Sequence, residues 1–549
     1  MKSGWIINPR IDAALIVGLP VLLVPLLYVV QKLQLEIPFA VAVGVLASGH
    51  LLPTFLRTYA DRRLTRLYPV RFFVIPPLLF AAFVLSVVYN IACFNLLVLS
   101  WGFWHGLMQT YGVGRIYQAK AGQTNKGNLD WYLCLAWFGF GMLGSEHRSL
   151  ELLSAGYQSG LPIIAREWIA GFSKTWTLVT MGLSFVYVVR LLTISEPGTK
   201  PCVLKLVHYA TSFSFWWVAM TQIANPIIAV GLWEIFHDVQ YVAVTWAFGN
   251  RHLNGPHIQF WGRWLFSKSL GAMALYTAVI LLFGSVKFLG DHSHTLFIAV
   301  AASQFLVACN VLHFYFDGFI WKIRSQEVAA AFNVQSERRS LGTSPTQQGS
   351  APQRHAALWM GLAGTMVLLT SLQFDVNRSK LDIAKQIALS MPLNSRAHLN
   401  YGQELLRSGF GGQAYREFAT AAIQNSHLPG IQSLLGRLAQ DLGNRTTSVD
   451  HFRVAHGQDP KDLQFGIDLA LSEGYLGNYE VALRLLSEQS GRHPERAEPH
   501  YWMGRVLAGM RRFDESVAEL ATAYKMAPHS LDIARHLQSA RNYAADLPQ

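Results

Sequence analysis

The stretch Trp233–Leu253, WEIFHDVQYVAVTWAFGNRHL, decides how the rest of the chain is read. It is apolar enough to lie in a membrane, yet it carries Glu234, His237, Asp238 and Gln240, with Arg251 and His252 just beyond. Ionisable groups at membrane depth cost about 2.5–3.5 kcal/mol each on insertion scales, so they face a bundle interior or a cavity. On a helix, three- and four-residue spacings place His237, Gln240 and Tyr241 on one face. Other apolar segments offer similar groups: His50, His105 with Gln109, and His313 with Asp317. Whether these histidines meet is the central question.

Working outward, the chain has 549 residues and divides by composition. Only 14% of it is charged, against roughly 25% in soluble proteins. Up to about Phe374 it is dominated by long apolar runs; beyond that, charge, Gln and Asn rise. The reading is an all-α protein, a polytopic transmembrane bundle followed by a soluble domain. The net charge of +12 lies largely in short loops between apolar runs, with no basic stripe and interleaved aromatics, which excludes nucleic acid as a partner. Cys93, Cys134, Cys202 and Cys309 form no CxxC pair, and the soluble third has no cysteine, so no disulfide scaffold is implied.

Spanning a bilayer takes about 20 apolar residues. Eleven segments qualify on this reading: 12–30, 37–56, 72–90, 94–113, 130–146, 174–193, 206–224, 226–248, 269–287, 295–316 and 356–373. The loops 57–71, 114–129, 194–205, 249–268 and 317–355 carry the Lys and Arg, and two spans separate each from the next. The positive-inside rule therefore places all five in the cytoplasm of a bacterial inner-membrane protein. An odd number of spans puts the soluble domain outside. Residues 1–334 form the bundle, 335–355 (rich in Ser, Gln, Pro and Gly) a disordered cytoplasmic linker, 356–373 the last span and 374–394 a connector.

The remainder, 395–549, repeats every 34 residues. Pro392, Ser426, Pro460, Pro494 and Pro528 mark the register. Gly402, Gly436, Ala470 and Gly504 share it, as do Ala414, Ser448, Ala482 and Ser516. Ala421, Ala455 and Ala523 form a further column that Gln489 breaks. This resembles the tetratricopeptide repeat family over about 395–528, with 529–547 as a capping helix. Glu473 departs from the pattern, standing where an aromatic or aliphatic residue is usual. The resemblance implies a curved helical solenoid that binds a protein or peptide segment, and it implies no enzyme.

Helical rise puts His50, His105, His237 and His313 about 5–16 Å inside the cytoplasmic face, in one leaflet. Neutral imidazole is a common metal ligand and needs a partner to fix its tautomer. Gln109, Gln240 and Asp317 lie one turn from His105, His237 and His313 and are the expected partners. Three to five imidazoles with a carboxylate suit non-haem iron, copper or zinc; two opposed histidines would instead ligate haem. His252 is a potential fifth ligand. The alternative is that each imidazole merely bridges helices. The chain has no HxxxH, HxxHH or HExxH box. Arg57 either snorkels to headgroups and pairs with Asp61, or joins Tyr241 in binding a substrate's anionic group.

Three functions follow from this pattern. The first is a metal-dependent oxidoreductase acting on a hydrophobic or lipid substrate, with membrane lipids and a protein as partners. The second is a transporter or envelope-assembly scaffold that works through its repeats. The third, a lipid-linked-sugar glycosyltransferase, would need acidic residues in the first outer loop, where 31–36 offers only Glu36.

Overall fold

A computed structural model describes residues 4–33, 35–123, 128–193, 202–223, 225–252, 255, 257–292, 295–321, 326–332, 334, 351–426, 428 and 430–545. The chain forms two compact units, Met1–Ser379 and Lys380–Gln549.

Unit 1 contains α1 (Leu19–Lys32), α2 (Glu36–Gly49), α3 (Leu52–Ala60), α4 (Ile75–Val88), α5 (Cys93–Lys120), α6 (Leu129–Gly144) and α7 (Glu146–Gln158). It continues with α8 (Arg166–Thr193), α9 (Val203–Thr221), α10 (Pro226–His252), α11 (Leu270–Gly284), α12 (Leu296–Ile320) and α13 (Ala351–Val376). Among the described residues seven helices, not eleven, are long and apolar enough to cross a membrane: Glu36–Ala60, Val70–Val88, Arg166–Thr193, Pro226–His252, Leu270–Leu289, Leu296–Ile320 and Ala356–Val376. The expected span 12–30 is instead a pair, Pro9–Val17 and Leu19–Val30, bent by 52° at Gly18; counting it as one span makes eight. Helix α6, at 16 residues, reaches about 24 Å and falls short of a 30 Å core. Helices α5 and α9 have the length, but they bury Thr110 and Gln118, and Lys205, His208 and Ser212. Their polarity is turned into the bundle. Of the expected linker, 335–350 lies outside the described residues, and 351–355 belongs to α13.

Close helix approaches are set by small residues. A Cβ on Gly49 would lie 2.6 Å from the Ile280 carbonyl oxygen, and one on Gly284 would lie 2.0 Å from that of Val45. Helices α2 and α11 therefore meet backbone to backbone. Helix α10 is the most enclosed element, packing Ile228, Leu232, Trp233 and Phe236 against Phe138, Trp216 and Phe39.

Described residues of the basic loops contact one another and their neighbours at one end of unit 1. Arg251 donates to the carbonyls of Ile6 (2.6 Å) and Ala331 (3.0 Å), and Lys120 to that of Phe332 (2.9 Å). Arg62 N donates to His257 O at 3.1 Å, and Lys205 pairs with Asp130 at 3.1 Å. Helix α5 starts at the other end. There Ala92 N donates to Gln373 Oε1 (2.9 Å), Gln373 Nε2 to Asn90 O (2.7 Å) and Arg378 to Leu161 O (2.6 Å).

Unit 2 is a run of antiparallel helix pairs. Helix α14 (Lys380–Ser390) fills most of the expected connector and packs on α15 (Ser395–Arg407). The pairs are α15 with α16 (Gly411–Gln424), α17 (Ile431–Asp441) with α18 (Arg445–Gln458), α19 (Leu463–Tyr475) with α20 (Tyr479–Arg492), and α21 (Glu498–Gly509) with α22 (Phe513–Met526). Helix α23 (Leu531–Ala545) closes the run. Each 34-residue repeat is thus one helix pair, a tetratricopeptide-like helical repeat. Gly402 and Gly436 leave room for Phe418 and Phe452, whose rings would lie 2.6–2.7 Å from an added Cβ. The two departures from the pattern have local causes. Glu473 is buried and accepts from Arg453 Nη2 (2.7 Å) and Asn478 Nδ2 (2.8 Å). Gln489, fully buried in an alanine column, occupies space left by Gly466, where a Cβ would lie 2.4 Å from the amide.

Gly466→Ala therefore overpacks α19 against α20 and destabilises unit 2 by about 1–3 kcal/mol. In a Gln489→Ala background the same change becomes neutral or stabilising, because helix propensity then favours Ala by about 1 kcal/mol. Urea melts of residues 380–549 in the four combinations measure this coupling.

Candidate functional site

Four helices deliver one imidazole each to the interior of unit 1: His50 follows α2, His105 lies on α5, His237 on α10 and His313 on α12. All four are buried. Their rings form a closed circuit, with centroid separations of 5.5 Å (His50–His237), 5.0 Å (His237–His105), 4.5 Å (His105–His313) and 5.0 Å (His313–His50). Nε2 of His105 and Nε2 of His313 face each other at 3.1 Å. One nitrogen each of His50, His237 and His313 lie within 4.8 Å of one another, as do ligand atoms of His105, His313 and Asp317. His50 Nε2 is buried with no hydrogen-bond partner.

These spacings give two overlapping three-ligand groups that share His313, each compact enough to hold one ion. The edge-to-face packing leaves no slot for a porphyrin between any two rings, so the arrangement suits an ion and not a haem.

The surrounding contacts differ from expectation. Gln109 does not touch the His105 ring; its Nε2 donates to the His237 carbonyl at 2.9 Å. Gln240 does not orient His237 either, because its Nε2 donates to Ile16 O at 2.5 Å. Both residues pin α10 to its neighbours by backbone carbonyls, which compete well for a buried amide. Asp317 stands 3.9 Å from His313 Nδ1, and a hydroxyl lies between them. Thr54 Oγ1 is 2.5 Å from His313 Nδ1 and 2.5 Å from Tyr241 OH, which donates to Asp317 Oδ1 at 2.7 Å. Trp321 Nε1 donates to the same oxygen at 3.1 Å. The result is a continuous chain of groups able to hold or pass a proton, His313–Thr54–Tyr241–Asp317.

His252 is not part of the cluster. It lies fifteen residues past His237, about 22 Å along α10, and stacks on Phe248 at 4.9 Å. Two residues that matter were not assigned from sequence. Asp238, fully buried, brings Oδ1 to 2.9 Å from His50 Nδ1. That nitrogen also lies 2.6 Å from Ala47 O. The two contacts compete, and the hydrogen-bond direction serves the carbonyl, leaving both Asp238 oxygens unpartnered. The other residue is Thr54, the bridge. A buried carboxylate in an apolar run must have a partner, and that is the signal Asp238 carried. The separation of 188 positions from His50 hid which group it would lie against.

Arg57 also departs from the snorkelling reading. It is only 7% exposed, and its guanidinium is held between Phe248 (3.9 Å) and Trp321 (3.7 Å). Asp61 does not pair with it; that carboxylate caps the short helix Arg62–Leu67 by accepting from Arg63 N and Leu64 N.

No protein-family model matches the chain, and no curated protein sequence does. Among solved structures, MamA (residues 41 to the end) from Desulfovibrio magneticus RS-1 is similar at 19% identity, covering 28% of this chain and 86% of that one, with a TM-score of 0.26. YrrB, a TPR protein with an unusual peptide-binding site, is similar at 15% identity over 32% and 89% of the chains, with a TM-score of 0.28. TTC0263, a thermophilic TPR protein from Thermus thermophilus, is similar at 16% identity over 34% and 98%, with a TM-score of 0.25. The repeat assignment rests on this chain's own helix pairs.

Proposed function

We propose that unit 1 is a membrane-embedded, metal-dependent oxidoreductase acting on a hydrophobic or lipid substrate, joined to a repeat unit that binds a protein or peptide. The observation that carries this reading is the closed circuit of four buried imidazoles with His50 Nε2 unpartnered. An all-imidazole set suits iron, copper or zinc, and the redox-active members would supply one-electron chemistry there. The protein's own part is to bind the ion through His50, His105, His237 and His313, to exclude bulk water, and to hold a proton on the Thr54–Tyr241–Asp317 chain. The compact ligand groups and the buried setting favour this over the transporter, scaffold and glycosyltransferase alternatives.

The described residues of the basic loops that gather at one end of unit 1 support a cytoplasmic position for that end. Helix α13 ends beside Asn90 and Leu161 at the other, so the chain leaves unit 1 on the far side. On this reading residues 395–549 are extracytoplasmic. A periplasm-active alkaline phosphatase fused after Gln549 should be active and a fluorescent protein there dark; the reverse pattern would refute the placement.

Metal analysis of the detergent-purified full chain should find about one iron, copper or zinc per molecule. The double variant His237→Ala/His313→Ala should lose it, while His252→Ala should keep it. Iron or copper whose optical or paramagnetic spectrum changes on reduction supports the oxidoreductase; zinc alone would remove the redox assignment and leave a metal site. Asp238→Asn should lower metal affinity about 10–100-fold, because it removes the buried negative charge 2.9 Å from the His50 ring. Competition with a graded series of chelators measures it.

A further inference from the structure

Arg57 is the least satisfied cation among the described residues of unit 1. A guanidinium has five N–H donors in a planar fork. Here Nη2 donates to Ile320 O at 2.8 Å, while Nε and Nη1 are buried and have no partner. Among the described residues no carboxylate lies within ion-pair distance of it. Phe248 and Trp321 lie over the guanidinium at 3.9 and 3.7 Å, so a partner for Nε and Nη1 has to approach in the plane. Leaving a buried donor unmade costs about 1–3 kcal/mol, and more for a charged group. Buried charges are retained in proteins where something pairs with them.

The position is specific. His50, Thr54 and Arg57 are spaced four and three residues apart and fall on one side of the chain as it leaves the bundle. Arg57 lies about 10 Å along the axis from His50. Thr54, between them, touches both His313 and Tyr241. Seen from the imidazoles, Arg57 lies toward the end where the basic loops gather.

We infer that Arg57 forms an oxyanion subsite, taking a carboxylate or phosphate in the plane of its guanidinium through the N–H groups of Nε and Nη1 that the protein leaves unpaired. This rests on the reading of unit 1 as a metal site for a hydrophobic substrate. It narrows that substrate to an anionic amphiphile whose head is held about 10 Å from the imidazoles while its apolar body lies in the bundle. The same chemistry could be met by a free anion, and the test separates the two sources.

Binding of radiolabelled palmitate to the purified full chain in an uncharged detergent is the first arm, with cetyl alcohol and inorganic phosphate as competitors. The wild-type protein should bind palmitate at least tenfold more tightly than the alcohol. Arg57→Gln should abolish that preference, and Arg57→Lys, which keeps the charge but not the fork, should weaken it by about tenfold. Phosphate that competes at equal strength, in an Arg57-dependent way, assigns the subsite to free anions and still supports it. Equal affinity of the wild-type protein for acid and alcohol, with no effect of phosphate, overturns the inference even if neither variant folds. Metal content measured on the same samples tells the two proposals apart: metal present without anion preference sinks the subsite alone, and metal absent sinks the metal-site reading.

Discussion

An ionisable side chain inside an apolar bundle must find a partner, and in unit 1 that constraint organises the packing around α10. Its inward residues each end on a group from another helix: His237 beside His50 and His105, Asp238 against His50, Gln240 on Ile16 O, and Tyr241 on Thr54 and Asp317. Helices α2, α3, α5 and α12 are fixed relative to one another because they share these contacts. The same requirement holds the amino-terminal turn, where Asp12 is buried and accepts from Ile7 N at 2.8 Å and Tyr117 OH at 3.0 Å. Polar satisfaction, more than apolar shape, specifies how these helices meet.

The histidines stood out in the sequence because an ionisable group in a long apolar segment is expensive and therefore informative. His50, His105, His237 and His313 stand on four separate apolar segments, and the fold brings all four rings into one circuit. Local spacing was a poorer guide to their partners. Gln109 and Gln240 stand one turn from a histidine, yet both turn to backbone carbonyls, because side chains on one helix compete with any carbonyl a neighbouring helix presents. Asp238 and Thr54 became meaningful only through contacts across 188 and 259 residues of sequence. Arg57 misled for a related reason. An arginine near a predicted span end suggests snorkelling, and nothing in the sequence shows Phe248 and Trp321 closing over it.

Span counting failed where composition and environment diverge. Helices α5 and α9 are polar for spans because their polar faces are buried in the bundle, while 12–30 is apolar after Asp12 but broken at Gly18. The repeat unit is legible almost whole, since small residues every 34 positions follow directly from helices that cross closely. What the columns could not show was compensation. Gln489 looks like an error in an alanine column until Gly466 is seen to vacate the space it needs.

The central claim, that the four imidazoles share one ion, is tested most directly by X-ray absorption at the metal edge of the purified full-length protein. The account predicts three to four nitrogen neighbours at about 2.0–2.1 Å with the multiple scattering of imidazole rings. A shell of sulfur, a shell of oxygen without imidazole scattering, or no bound metal after reconstitution would contradict it.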